Sequence, residues 1–217
     1  MPPLFENSEE TMKRNKINIA VLVSGGGTNL QALIDAQESG ILHSGKIVLV
    51  ISGNPDAYAL KRAEKAGIPT AVACAKTLGR EGAEARMLQL LDGYAVDLIV
   101  LAGFMSILSR DFTSRYDHRI LNIHPSLIPA FCGAGFYGLH VHEAVLQRGV
   151  RITGATVHYV NEIPDGGDII LQKAVRVLDS DTPESLQKRV MRQAEWKILP
   201  AAAEAVSSKI LNEENKL

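Results

Sequence analysis

The sequence predicts an α/β protein with a mostly parallel twisted sheet, helices on both faces and an antiparallel hairpin near the C-terminus. Three observations carry this. Almost wholly apolar runs at 17–23, 46–52 and 97–102 look like strands buried on both faces. Helical apolar spacing alternates with them, and a βαβαβ order implies parallel strands with right-handed crossovers. Later, the strand-like runs 152–160 and 168–172 are separated only by a turn at 163–167, which requires antiparallel pairing.

In order, the run ending at Val23 meets Ser24-Gly25-Gly26-Gly27-Thr28-Asn29, and a helical pattern follows through Leu30, Leu33 and Ile34. Glycines at a helix start let backbone N–H groups approach a phosphate, with the helix dipole adding positive charge. A tight turn without a ligand would read the same way. After the second strand, Asn54-Pro55 predicts a capped helix start, with Ala57, Leu60, Ala63 and Ala66 as its apolar stripe and Gly67 as its stop. Residues 68–73 read as a short third strand, 80–93 as a helix and 97–102 as a central fourth strand.

Gly103-Phe104-Met105-Ser106-Ile107-Leu108 follows; it suits either a hydrophobic slot or the first turn of a packed helix. Residues 109–118 read as a polar helix and 119–122 as a fifth strand. The glycine-rich stretch 130–140 is a loop, and 142–147 a short helix. The last helix starts at Thr182-Pro183 and runs through Leu186, Val190, Ala194, Ile198 and Leu199, with Pro200 bending or breaking it.

The chain has 217 residues, 46% hydrophobic and 22% charged, which suits one domain with a large core. A net charge of −1 gives no footprint for nucleic acid. No apolar run reaches membrane-spanning length. Cys74 and Cys132 form no metal or redox motif, and with no signal-like segment the expected location is the cytoplasm. Residues 1–16 read as a loose extension and 209–217 as a frayed tail, flanking one domain at 17–208.

The chemistry concentrates around Leu121-Asn122-Ile123-His124-Pro125-Ser126-Leu127-Ile128-Pro129. Asn122 and His124, two apart at a strand end, face the same way. An amide that can donate to an oxyanion then stands beside an imidazole that moves protons near neutral pH. The same pair could simply cap a turn. Asp165, in a turn with Gly166 and Gly167, can approach them across the strand ends; it is equally an ordinary turn aspartate. His140-x-His142 raises a metal site, but no carboxylate or cysteine completes ligand spacing, so none is expected. No G-x-S-x-G elbow supports a serine triad.

Together, the N-x-H-P-S-L-x-P motif from Asn122 to Pro129, the 103–108 stretch, the Ser24–Gln31 loop and the Asp165-Gly-Gly turn resemble the phosphoribosylglycinamide formyltransferases. The resemblance runs from about Ile17 to about Ala205. It implies the formyltransferase fold, a Rossmann-like sheet whose 17–120 half binds the nucleotide and whose 121–208 half carries catalysis and folate binding. It also implies transfer of the formyl group of 10-formyltetrahydrofolate to the amine of glycinamide ribonucleotide in purine synthesis, without a metal. Asn122, His124 and Asp165 become the catalytic trio. Gly27, Thr28, Asn29, Gly103 and Glu195 become ribonucleotide contacts. Arg80, Leu101, Phe104, Met105, Ser106, Ile107, Leu108, Val160 and Asn161, with Asp165, become folate contacts.

Some relatives of this kind have arginine where this chain has Ser106, and the 130–140 loop is longer than in some bacterial members. Small-molecule partners and a monomer or weak homodimer are expected. The chemistry needs an oxyanion donor, an acid for the departing folate nitrogen and a base for the amine; Asp165 is expected to hold His124 cationic. Rival readings ask for features this sequence lacks. A methionyl-tRNA formyltransferase calls for a basic C-terminal domain, and a formyltetrahydrofolate hydrolase for an N-terminal regulatory domain. A dinucleotide oxidoreductase calls for G-x-G-x-x-G and an acidic end to the second strand, where Ser52-Gly53-Asn54 stands.

Overall fold

In the computed structural model, which describes residues 14–216, seven strands form one sheet. They are β1 (Ile17–Val23), β2 (Gly45–Ser52), β3 (Thr70–Val72), β4 (Leu98–Leu101), β5 (Ile120–His124), β6 (Ile152–Tyr159) and β7 (Ile169–Arg176). Their order is β3-β2-β1-β4-β5-β6-β7. β1 to β5 are parallel; β6 is antiparallel to β5, and β7 to β6. The predicted mostly parallel sheet with an antiparallel C-terminal hairpin is the one observed.

The helices are α1 (Thr28–Glu38), α2 (Tyr58–Lys65), α3 (Ala75–Gly93), α4 (Arg110–Arg115), α5 (Leu139–Arg148), α6 (Pro183–Val190) and α7 (Trp196–Glu214). A single π-helical stretch, Met191–Glu195, joins the last two. β1 shows why both sheet faces are covered. Ile19, Val21 and Val23 enter one core with Leu33, Leu121 and Leu199; Ala20 and Leu22 enter the other with Leu49, Ile99 and Phe112. Side chains alternate along a strand, so an all-apolar run feeds two cores at once.

Several element boundaries differ from expectation, each for a local reason. Asn54-Pro55 does not start a helix: Asn54 Oδ1 accepts from Asp56 N at 3.0 Å, closing a side-chain turn, and α2 begins at Tyr58. α3 begins five residues early, at Ala75, because two helical pieces run together across Gly79, whose φ is 72°. β3 shrinks to three residues, and α4 is shorter than 109–118, capped by Ser109 Oγ accepting from Phe112 N. No helix forms at 103–108, so the alternative of a packed first helical turn falls away. Pro200 does not break α7: it is the fifth residue, and its missing donor falls at the junction with the π turn.

The termini also differ. Beyond Lys209 the chain stays helical through Glu214, with Ile210 buried, instead of fraying. Of the 1–16 extension, residues 1–13 lie outside the described residues. Arg14 is tied down, its guanidinium bonding Asp97 at 2.6 Å and Glu214 at 3.2 Å.

Gly27 caps α1 with φ 72°, and a Cβ built there would stand 2.6 Å from Ala59 Cβ. Both the left-handed conformation and the contact with α2 demand glycine. Gly27→Ala is therefore expected to cost about 1–3 kcal/mol. A melting curve checks this, and an unchanged midpoint would show that α1 and α2 separate freely.

Candidate active site

β5 ends beneath a cleft of about 720 Å³. Asn122, Ile123, His124 and Pro125 form its floor; Thr28 and Asn29 enter from the start of α1, and Glu195 from the π turn. Gly103, Phe104, Met105, Ser106 and Ile107 reach it from the loop after β4, Asp165 from the turn after β6, and Gly133–Gly138 from the loop before α5.

The strand ladder assembles the centre. Asn122 pairs with His158 across the antiparallel β5–β6 register, so both side chains emerge on one face. His158 Nδ1 lies 2.7 Å from the Tyr159 carbonyl, which can only accept, so Nδ1 carries the proton. Nε2 then accepts from Asn122 Nδ2 at 3.1 Å. That bond fixes which end of the Asn122 amide faces the cleft, and leaves a second N–H pointing toward Asp165 Oδ1, 3.5 Å away. The sequence reading missed His158. Its only signal was a lone histidine inside an apolar strand.

His124 is buried and held from two sides. Nε2 donates to the Phe131 carbonyl at 2.8 Å, and Nδ1 faces Asp165 Oδ2 at 3.5 Å. Burial pushes the imidazole pKa below its ordinary value despite the opposing pull of Asp165 and the Phe131 bond. The shift favours the uncharged ring before substrate binds, while Asp165 pulls toward the cation. Burial alone would raise the Asp165 pKa, but the carboxyl is held below its usual range by the Gly133 N–H (2.8 Å) and by the pull of the His158 and His124 rings whenever either takes up a proton. Asp165 adopts a left-handed backbone, φ 56°, unusual for a side-chain-bearing residue and tolerated best by Asn and Asp. Phe131 and Gly133 thus latch one loop onto both titrating groups.

The turn after His124 is pinned by Thr156, which donates to Ser126 O at 2.7 Å and accepts from Ile128 N at 3.1 Å. Ser126 Oγ closes it onto Ala130 O at 2.6 Å. Five backbone-linked residues after the histidine are thereby held rigid.

On the opposite wall, Asn29 Nδ2 donates to Glu195 Oε2 at 2.7 Å. Leu186, Val190, Ala194 and Ile198 repeat every four residues and drift about 40° per step around an ideal α-helix. The wider π turn takes up that drift, a distortion frequent at functional sites. Glu195 is buried, and desolvation raises its pKa to about 7 against the Asn29 bond, which lowers it.

The expected folate contacts divide. Met105 and Ile107 are 57% and 63% exposed, large apolar side chains left open at the cleft rim with Phe104 and Ser106. Leu101 and Leu108 are buried in the core beneath and support the rim from behind. Arg80 lies behind the 104–108 loop, donating to Ile107 O at 3.2 Å, in a separate recess of about 360 Å³. Val160 and Asn161 line a recess of about 280 Å³ with Thr113 and Asp117. Ser24 Oγ accepts from Met105 N at 3.0 Å, linking the glycine loop to the rim. Among the described residues no cluster of three potential metal ligands occurs.

A doubly acting amide–imidazole–carboxylate group at a strand end, between a glycine-loop helix start and an apolar rim, is the arrangement of a group-transfer enzyme. Residues 17–203 match the formyl transferase family, and the chain belongs to that family. It is 46% identical to the trifunctional purine biosynthetic protein adenosine-3 of Gallus gallus over 91% of this chain, yet spans 19% of that relative's length. The phosphoribosylglycinamide formyltransferase of Escherichia coli (strain K12) is 43% identical, over 82% of this chain and 81% of its own. The crystal structure of glycinamide ribonucleotide transformylase 1 from Symbiobacterium toebii superposes with a TM-score of 0.83 at 40% identity, covering 90% and 89% of the two chains.

Glu195 gives a pH test. Its folded pKa, about 7, lies above the ordinary 4.5, so the folded chain binds more protons than the unfolded one between those values. Stability contributed below pH 4.5 is then lost as pH rises to about 7, on the order of 3 kcal/mol. Glu195→Gln keeps the acceptor for Asn29 and removes the proton. Denaturant melts from pH 4.5 to 8 should show that decline flattened in the variant; parallel curves would mean Glu195 titrates normally.

Proposed function

We propose that this chain transfers the formyl group of 10-formyltetrahydrofolate directly to the amine of glycinamide ribonucleotide, a step of purine biosynthesis. The observation that carries the reading is the Asn122–His124–Asp165 group placed between an anion-binding helix start and an exposed apolar rim. The first-turn N–H groups of α1 have no intrahelical partners and suit the ribonucleotide phosphate. Glu195, once ionised, accepts from the sugar hydroxyls. The rim at Phe104, Met105 and Ile107 suits a flat folate ring, and Arg80 suits its carboxylate tail.

Within this reading each residue has a distinct task. Asn122, oriented by His158, offers its second N–H, held by Asp165 only at 3.5 Å, to the oxyanion that develops as the new C–N bond forms. Such a donor is typically worth about 3 kcal/mol. His124 accepts the proton released by the attacking amine and returns it to the nitrogen that leaves the folate. Asp165 stabilises the imidazolium in between. A lowered pKa favours the unprotonated ring that a base needs, so the burial of His124 suits the task.

A coupled assay following folate product formation with glycinamide ribonucleotide as acceptor tests the reading; no turnover would sink it. Asn122→Ala should lower kcat by roughly a hundredfold or more. Asp165→Asn and His124→Ala should each be severe in kcat with little change in KM. The double variant should be far less impaired than the product of the two single effects, and strict additivity would separate Asp165 from His124. An antifolate analogue should raise the melting temperature by binding the folded state alone. No shift at saturation, with transfer intact, would move the folate site elsewhere.

A further inference from the structure

We propose that His142 is a substrate-binding residue whose uncharged imidazole holds a neutral polar group, a hydroxyl or carboxamide, of the acceptor ribonucleotide. This rests on the formyl-transfer reading and adds a contact that the sequence motifs do not contain.

His142 lies in the first turn of α5, is fully buried and lines the cleft. Neither Nδ1 nor Nε2 has a hydrogen-bond partner among the described residues. A neutral imidazole always carries one donor and one acceptor, and leaving a buried polar group unmet costs more than a made bond returns. The other two buried histidines of the site are satisfied: His124 by Phe131, His158 by Tyr159 and Asn122. The unmet pair sits just beneath the cleft wall, and Asn29 Oδ1, which lines the same cleft, is unmet as well.

The surrounding elements say which substrate meets it. α5 packs against α6, and α6 runs directly into the π turn that carries Met191 and Glu195 to the same cleft. The apolar rim comes instead from the loop after β4. His142 therefore belongs to the wall that receives the acceptor. Burial and the proximity of His124 lower its pKa to about 4, so it is uncharged at neutral pH. A phosphate would call for a cation; a group with both a donor and an acceptor matches a neutral ring.

His142→Leu removes both nitrogens and keeps bulk; His142→Asn restores a donor and an acceptor. His142→Phe serves as a second apolar variant if Leu fails to fold. Calorimetric titration with glycinamide ribonucleotide, steady-state KM for both substrates and melting curves are measured on each. The apolar variants should bind the ribonucleotide about tenfold or more weakly. Their KM for the folate should stay within about twofold, and His142→Asn should recover part of the loss. The ligand-free apolar variants should melt at or above the parent, because unmet polar atoms leave the interior. Unchanged ribonucleotide affinity in a folded apolar variant, or equal rises in both KM values, would overturn the contact. A parent protein that binds no ribonucleotide would overturn the acceptor reading itself, and the contact with it.

Discussion

The site depends on one register: Asn122 opposite His158 in the antiparallel pairing of β5 with β6. Side chains alternate with a period of two, so a slip of one residue would send His158 to the other face and free the Asn122 amide to turn. The pairing is defended from both sides. Val157, next to His158, is fully buried in the core shared with Leu121, and Thr156 pins the turn after His124. Gly154 further along β6 allows the Lys173 carbonyl of β7 to approach within 2.1 Å of where a Cβ would stand. The hairpin is packed too closely to slide.

The parallel half contributes position. Strand order reverses direction between β1 and β4, and in open sheets of this kind ligands gather where that happens. The glycine loop leaves β1 and the 103–108 rim leaves β4, so two loops with opposite chemistry, one offering N–H groups and one offering hydrocarbon, part from neighbouring strands. The Ser24–Met105 bond holds their separation. A charged substrate and a flat apolar one can then meet over the end of β5 with no global charge field, consistent with a chain whose net charge is −1.

Much of this was readable from residues alone. The apolar runs gave β1, β2 and β4 of the parallel half, because a strand buried twice tolerates almost nothing polar. Asn122 and His124 were readable because two-residue spacing on a strand determines the face. What escaped was set by long-range packing. His158 acquires meaning only when the hairpin folds back beside β5. Val160 and Asn161 line a recess with Thr113 and Asp117, and Leu101 and Leu108 support the rim from the core. The π turn was hidden in a plain sight pattern: four-residue spacing reads as helix, and only its accumulated drift betrays the wider turn. The lowered pKa of His124 was invisible because burial, the dominant influence on it, is a property of the folded chain.

The latch of Phe131 and Gly133 on His124 and Asp165 has a consequence for observing the molecule. A carbonyl at Nε2 dictates which ring nitrogen carries hydrogen, so loop geometry is written into the imidazole tautomer. When the segment lifts, Nε2 loses that acceptor and Nδ1, facing a carboxylate, becomes the better place for the hydrogen. The nitrogen resonances of a single side chain therefore serve as a gauge of a backbone rearrangement several residues away.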